Sequence, residues 1–321
     1  MTAPLHAVIL ACLAAAASLP ALADNYPGKP VRVIVPYAAG GGTDIVARLV
    51  AQKLGARLGQ HVIVENRAGA ATQAGSAVVA KAAPDGYTLL MGTANLATNV
   101  PLFRKLPYDV RTDFAPISLV TKVPVYLFVN TASPLRSAKE IAPKSKANPD
   151  GLSWASAGVG SIPNLAGEMF RMQTQARMTH IPYKGSSESV ISLVGGQTAF
   201  AFDNLPPFAA QVRAGKVMPI AVAQAQRSPL TPDVPTLQEL GIPVDAYSWW
   251  GLLAPAGTPQ TIVERLSREV RAIILEPDLQ QRFEQLGIEG VGSTPAQFDA
   301  HIKEQTRKWT EVVKSAGIQP E

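Results

Sequence analysis

The sequence of 321 residues predicts an α/β protein in two domains, each a mainly parallel sheet flanked by helices, with a cleft between them. Two observations carry this. A strand, a loop of small residues and a helix start follow one another at residues 31–58 and again at 152–170. Strands otherwise alternate with helical patterns, which implies parallel pairing through right-handed crossovers. Apolar strands near residues 125 and 247 would carry the chain into a second domain and back, making a hinged clamp.

The first unit sets the pattern. Val31, Val33, Ile34 and Val35 form a β-branched run that reads as a buried strand. Gly40, Gly41 and Gly42 turn the chain, Thr43 or Asp44 is placed to cap a helix, and Val46, Leu49, Val50, Leu54 and Leu58 keep helical spacing. Such a loop leaves backbone N–H groups unpaired beside the positive end of a helix dipole, which suits a carboxylate or phosphate. It serves equally as a plain turn between strand and helix. The glycine spacing matches neither the dinucleotide nor the P-loop pattern, so no nucleotide cofactor is indicated.

Residues 61–67 read as the second strand, 69–75 as a loop of small residues, and a helix from Ser76 is stopped by Pro84-Asp-Gly86. Strand 87–92 runs into a polar loop, 93–99, which puts Thr93, Ala94 and Asn95 at a strand's carboxyl end, where open sheets bind ligands. After strand 124–130 the pattern restarts with a helix over 137–147 that Pro143 should break. Strand 152–156 leads into a loop with Ala157, Gly158, Gly160, Ser161 and Ile162, and then a helix carrying Leu165, Met169 and Phe170. Tyr183, Lys184 and Gly185 follow the next strand, a helix with Val190, Ile191 and Val194 stops at Gly195, and strand 198–202 runs into Asp203 and Asn204. Strand 249–254 returns to the first domain. Three helices end the chain, one with Thr258 as N-cap and Pro259 in its first turn, one opened by Pro277 and closed by Gly287, one opened by Thr294-Pro295 and closed by Gly317.

The first 23 residues hold no Lys, Arg, Asp or Glu, and an apolar core at 8–18 precedes Ala21-Leu-Ala23. That predicts a secretory signal cleaved near Ala23; a retained amphipathic N-terminus is the alternative. The apolar core is too short for a membrane span. Cys12, the one cysteine, falls inside it, so the mature chain would have no disulfide, thiol nucleophile or thiolate metal site. The net charge of +5 comes from 29 basic and 24 acidic residues. These are interspersed, which suits attraction of a small anion and not a nucleic-acid surface. His6 leaves with the signal, while His61, His180 and His301 lack acidic ligands at metal spacing, so neither metal nor cofactor is expected.

Weighed singly, Gly41, Gly42 and Thr43 are the best-supported ligand contacts, while Asp44 reads first as a helix N-cap. Gly158, Gly160 and Ser161 sit at the equivalent place in the second domain. Lys184 is either a counter-charge or a solvated side chain. Asp203 and Asn204 either cap a turn or receive a ligand amino or hydroxyl group. Trp249 and Trp250 read as core or hinge packing.

Several stretches resemble the Bug-type periplasmic receptors, the extracytoplasmic solute-binding proteins of tripartite tricarboxylate transporters. They include Tyr26-Pro-Gly-Lys-Pro-Val-Arg-Val-Ile-Val-Pro36, Ala39-Gly-Gly-Gly-Thr-Asp44, Val64-Glu-Asn-Arg67, Ala83-Pro-Asp-Gly-Tyr-Thr-Leu-Leu90, Tyr183-Lys-Gly185, Phe202-Asp-Asn204 and Trp250-Gly-Leu-Leu-Ala-Pro-Ala-Gly-Thr-Pro259. The resemblance implies a type II periplasmic binding-protein fold and a periplasmic monomer without catalysis that serves membrane transport subunits. By matching positions it implies a small organic acid held between Ala39 to Asp44 and Ala157 to Ile162, with Thr93 to Asn95, Tyr183 to Gly185, Asp203 and Asn204 nearby. The expected division is residues 1–23 as signal, 24–124 with 246–321 as domain 1, and 125–245 as domain 2. The chain departs from the family in having Asn164 where histidine is usual, a glycine-poor stretch at 70–74, and Pro143. Two other functions stay open: an exported α/β hydrolase, for which no G-x-S-x-G elbow is present, and a ligand sensor for a membrane signalling protein.

Overall fold

The computed structural model describes residues 26–229, 231–315 and 319–320. The expected signal with its cleavage point, Cys12 and Gly317 lie outside them.

β1 (Val31–Val35) lies between β2 (Val62–Asn66) and β3 (Thr88–Thr93), parallel to both. Its alternation is physical: Val31, Val33 and Val35 pack into one core, and Ile34 faces another on the opposite side of the sheet. Fully burying each such side chain contributes roughly 1.5–3 kcal/mol. α1 (Gly42–Leu58), α2 (Gln73–Ala80) and α3 (Asn95–Leu102) follow these strands in turn.

β4 (Phe114–Asn130) is the spine of the molecule. As far as Pro124 it pairs antiparallel with β9 (Tyr247–Pro255), which in turn pairs with β3; from Val125 onward it pairs with β7 (Phe200–Asn204) and β8 (Val217–Val222). β5 (Leu152–Ser156) lies between β6 (Met178–Pro182) and β7, parallel to both. Strand order along the whole path is β2-β1-β3-β9-β4-β7-β5-β6. Each lobe holds the expected block of parallel strands, and antiparallel crossover strands flank it, so the sheet as a whole is mixed.

The second lobe carries α4 (Ile141–Ala147), α5 (Ile162–Thr174), α6 (Ser186–Val194) and α7 (Leu205–Arg213). α8 (Gln260–Ile274), α9 (Pro277–Leu286) and α10 (Pro295–Ser315) return to the first, and β10 (Glu289–Gly290) edges β4.

Several expectations need correction. The segment read as a polar loop at 93–99 is helical from Asn95 on, because the Ala94 carbonyl accepts from Ala97 and Thr98 while the Thr98 and Asn99 side chains bond away from their own helix, to Gly160 and Ala71. Tertiary partners here outweigh weak helix propensity. α2 starts at Gln73, inside the segment read as a loop. Residues 114–123 belong to β4 although Pro116 and Pro124 argue against a strand; the register shifts beside Pro116 accommodate it. Pro143 does not break its helix, since it is the third residue of α4, where its absent N–H would have had no helical partner. Thr258 turns its hydroxyl back to the Pro255 carbonyl, and Pro259 is the N-cap of α8.

Candidate functional site

Where the lobes meet, a small cavity is lined from both sides. Gly41, Gly42 and Thr43 come from the start of α1, Thr93, Ala94 and Asn95 from the start of α3, and Ala157, Ser161, Ile162 and Pro163 from the start of α5. Ser186 opens α6, Asn204 precedes α7, and Tyr37, Ser248 and Trp250 complete the wall. Five helix N-termini thus converge on one space, each carrying about half a positive charge. No Lys, Arg, His, Asp or Glu lines it among the described residues. The N–H groups of Gly41, Gly42, Thr43, Ile162 and Ser186 have no acceptor among the described residues. The Asn95 amide nitrogen is also buried without a partner, while its oxygen accepts from Tyr37 (2.7 Å) and Thr93 (3.4 Å). Such a donor set in a low-dielectric cavity suits an anionic oxygen.

Each glycine loop is braced in the same way. The carboxylate of Asp44, third residue of α1, accepts the Gly40 N–H at 3.0 Å; the amide oxygen of Asn164, third residue of α5, accepts the Gly160 N–H at 3.0 Å. Each brace is steadied from the neighbouring parallel strand. Asn66 of β2 donates to Asp44 at 3.0 Å, and His180 of β6 meets Asn164 at 3.3 Å. Arg48 adds an ion pair to Asp44 (3.0 Å). Burial pushes the Asp44 carboxyl up, but hydrogen bonds from Arg48, Gly40 and Asn66 outweigh it and hold the group below its ordinary range. Asp44 is accordingly neither the N-cap, which is Gly41, nor a cavity residue.

The lobes are latched shut. The buried Thr98 hydroxyl donates to the Gly160 carbonyl (2.6 Å), and the Ser187 hydroxyl donates to the Ala39 carbonyl (3.2 Å). A Cβ on Gly42 would stand 2.7 Å from the Trp250 ring, and one on Gly158 would stand 2.6 Å from the Tyr183 carbonyl at φ +115°. Both positions need glycine for close approach.

Other expected residues fall outside the main cavity. Ala39, Gly40 and Gly160 use their polar groups in the braces and latches. Gly185 caps α6 and faces Ala38 across the lobes. Gly158, Tyr183 and Lys184 line an adjoining cavity with Ala70, Ala71 and Thr72, sharing Tyr37 and Ala157 with the main one. There the glycine-poor stretch holds three consecutive non-glycine residues, Ala70, Ala71 and Thr72, at positive φ. Asp203 is fully buried behind Ser186, whose hydroxyl donates to it at 2.8 Å. Tyr37, Pro163, Ser186, Ser248 and Trp250 were not read as cavity residues. Only Trp250 carried a signal, as an aromatic at the return crossover.

One constellation looks catalytic: Ser156 Oγ lies 2.7 Å from His180 Nε2, with Asn164 on the other ring nitrogen. Its proton placement is wrong for a base. Because Asn164 Oδ1 takes the Gly160 N–H, its Nδ2 donates to His180 Nδ1, leaving the proton on Nε2 to donate to Ser156. Ser156 is also fully buried, and burial lowers the His180 pKa to about 4. The constellation props up the loop. Ser161 N-caps α5 and has no base.

Residues 46–318 match the model of the tripartite tricarboxylate transporter family receptor. Protein BugT of Bordetella pertussis is 36% identical over 93% of this chain and 92% of its own length. The structure of Rpa4515 of R. palustris with adipate superposes with a TM-score of 0.89 at 34% identity, covering 92% of this chain and all (100%) of that one. MatC of Rhodopseudomonas palustris, with bound malate, gives 0.85 at 34% identity over 90% of this chain and 100% of that one. With a periplasmic binding-protein fold, a cleft of convergent helix N-termini and these relatives, the chain belongs to the tripartite tricarboxylate transporter receptor family of solute-binding proteins.

Proposed function

We propose that the chain captures a small organic acid in the cavity between its lobes and releases it unchanged. The observation that carries this is the set of open N–H groups supplied by both lobes to a space that no charged side chain lines among the described residues. The carboxylate is held by main-chain donors, and ligand contacts made in the closed form shift the open–closed balance. The relatives holding adipate and malate support an organic acid as the ligand class. We place the ligand contacts at Gly41, Gly42, Thr43, Asn95, Ser161, Ile162 and Asn204, and treat Gly40, Asp44 and Gly160 as loop supports. The domains divide at the crossover strands, as residues 24–124 with 246–321 and 125–245. Cleaved near Ala23, the protein works in the periplasm as a monomer and passes its ligand to the membrane subunits of a tripartite tricarboxylate transporter, with no metal, cofactor or catalysis.

The test is a melting-temperature screen of the mature protein against mono-, di- and tricarboxylates, amino acids and aromatic acids. Ligand at about 100 times its Kd adds roughly 2.7 kcal/mol to stability, an upward shift of several degrees. No shift with any acid, or chemical conversion of an acid that does bind, would sink the proposal.

A further inference from the structure

Three polar side chains at the cavity are already committed as donors, whereas the Asn95 amide nitrogen keeps its protons for the carboxylate end of a ligand. Tyr37 Oη donates to Asn95 (2.7 Å), Ser186 Oγ donates to Asp203 (2.8 Å), and the Asn204 amide nitrogen donates to the Pro124 (2.9 Å) and Val123 (3.4 Å) carbonyls. Each has lone pairs, and no proton, left for a ligand. Behind this acceptor wall stands Asp203, fully buried, with no cation paired to it among the described residues and only hydroxyls and an N–H, from Ser186, Ser189 and Asn204, to hold its carboxyl. Its Oδ1 holds both the Ser186 hydroxyl and the Asn204 N–H (2.8 Å each). A carboxyl buried without counter-charge is costly, and burial pushes its pKa up to about 7. A ligand that brings only acceptors would meet lone pairs along this wall.

We propose that the ligand is a hydroxy- or amino-substituted carboxylate: its carboxylate sits on the open N–H groups, and its hydroxyl or ammonium donates to Ser186, Tyr37 and Asn204. Asp203 is the positioning residue, because its carboxylate fixes the direction in which Ser186 donates. This rests on the receptor reading and narrows it.

The test is isothermal titration of the mature protein with three matched sets: propionate, lactate and alanine; succinate, malate and aspartate; glutarate, 2-hydroxyglutarate and glutamate. In at least one set the hydroxy or amino member should bind about tenfold or more tighter than its parent. Ser186→Ala should reduce that ratio below about threefold; if it fails to fold, Tyr37→Phe gives the same measurement. Asp203→Asn, which keeps an oxygen for Ser186, should preserve the preference for hydroxyl and lose the preference for ammonium. Parents that bind as tightly as their substituted counterparts, or a ratio that survives these variants, would overturn the inference while leaving the receptor intact. Failure of every acid in all sets to bind would overturn both.

Discussion

The two glycine loops do one job with different chemistry. In the first lobe the brace is a charge, Asp44, tied to Arg48, Asn66 and the Gly40 N–H. In the second it is a neutral amide, Asn164, tied to His180 and the Gly160 N–H. A helix-third residue reaching back four positions is therefore the shared device, and charge is an option that each lobe settles with its own neighbours. The second lobe's choice makes its loop depend on an uncharged imidazole.

The largest expected effect separates the glycines from their braces. Gly42→Val puts a side chain into the Trp250 ring and across the open N–H groups, and should abolish ligand-induced melting shifts while the apo protein stays folded. Gly158→Ala meets a backbone carbonyl and a left-handed φ, so it should cost more stability than Gly42→Ala in chemical denaturation. If Gly158→Ala proved harmless, the two loops would not be equivalent.

Next come the braces. Asp44→Ala removes a buried charged acceptor from three donors and should cost about 2–3 kcal/mol; Asn164→Ala should cost about 1–2 kcal/mol, both read from urea melts. Equal losses would mean that the charge adds nothing to the first brace.

The pH profile sharpens the contrast. His180 has a folded pKa lowered to about 4 by burial, so the unfolded chain binds the proton first. Stability is full above about pH 6.5 and falls as pH drops toward 4, by about 2 kcal/mol after allowing for partial exposure. His301 of α10, lowered to about 4 by burial and by Lys122, contributes the same sign from the first lobe. His180→Asn should flatten the profile and, unlike His301→Asn, make ligand affinity less sensitive to acid. Asp44, with its pKa held down, keeps its contribution until pH falls below the ordinary aspartate range.

The smallest effects belong to the latches. Thr98→Val, which loses a buried bond, should weaken ligand binding about fivefold, whereas Ser187→Ala, at an exposed bond, should change it less than about twofold. Small-angle scattering of the apo forms would show whether either variant opens the lobes.

What could be read from sequence follows the range of the interactions. The β-branched run of β1 and the glycines at 40–42 announce themselves locally, as do Gly158 and Ser161. Residues that line the cavity only because the lobes close, such as Tyr37, Ser186 and Ser248, carry no local mark. Helix α3 was hidden because its stability comes from Gly160 and Ala71, far along the chain. The first half of β4 is hidden by its prolines, whereas α7 is bracketed by Pro206-Pro207 in its first turn and Gly215 beyond its end, so its start and stop are legible in the sequence. Asp203 was legible as an acid at a strand end, but whether it touches a ligand depends on Ser186 standing in front of it.

Because no lysine or arginine among the described residues lines the cavity, an anionic guest held there would not be neutralised by a single partner. The grip on such a guest would be a sum of fractional charges, part owned by each lobe, so parting the lobes would divide the attraction and leave neither side with a full countercharge to strip away. An architecture of this kind makes letting go as cheap as the proposed role of courier requires.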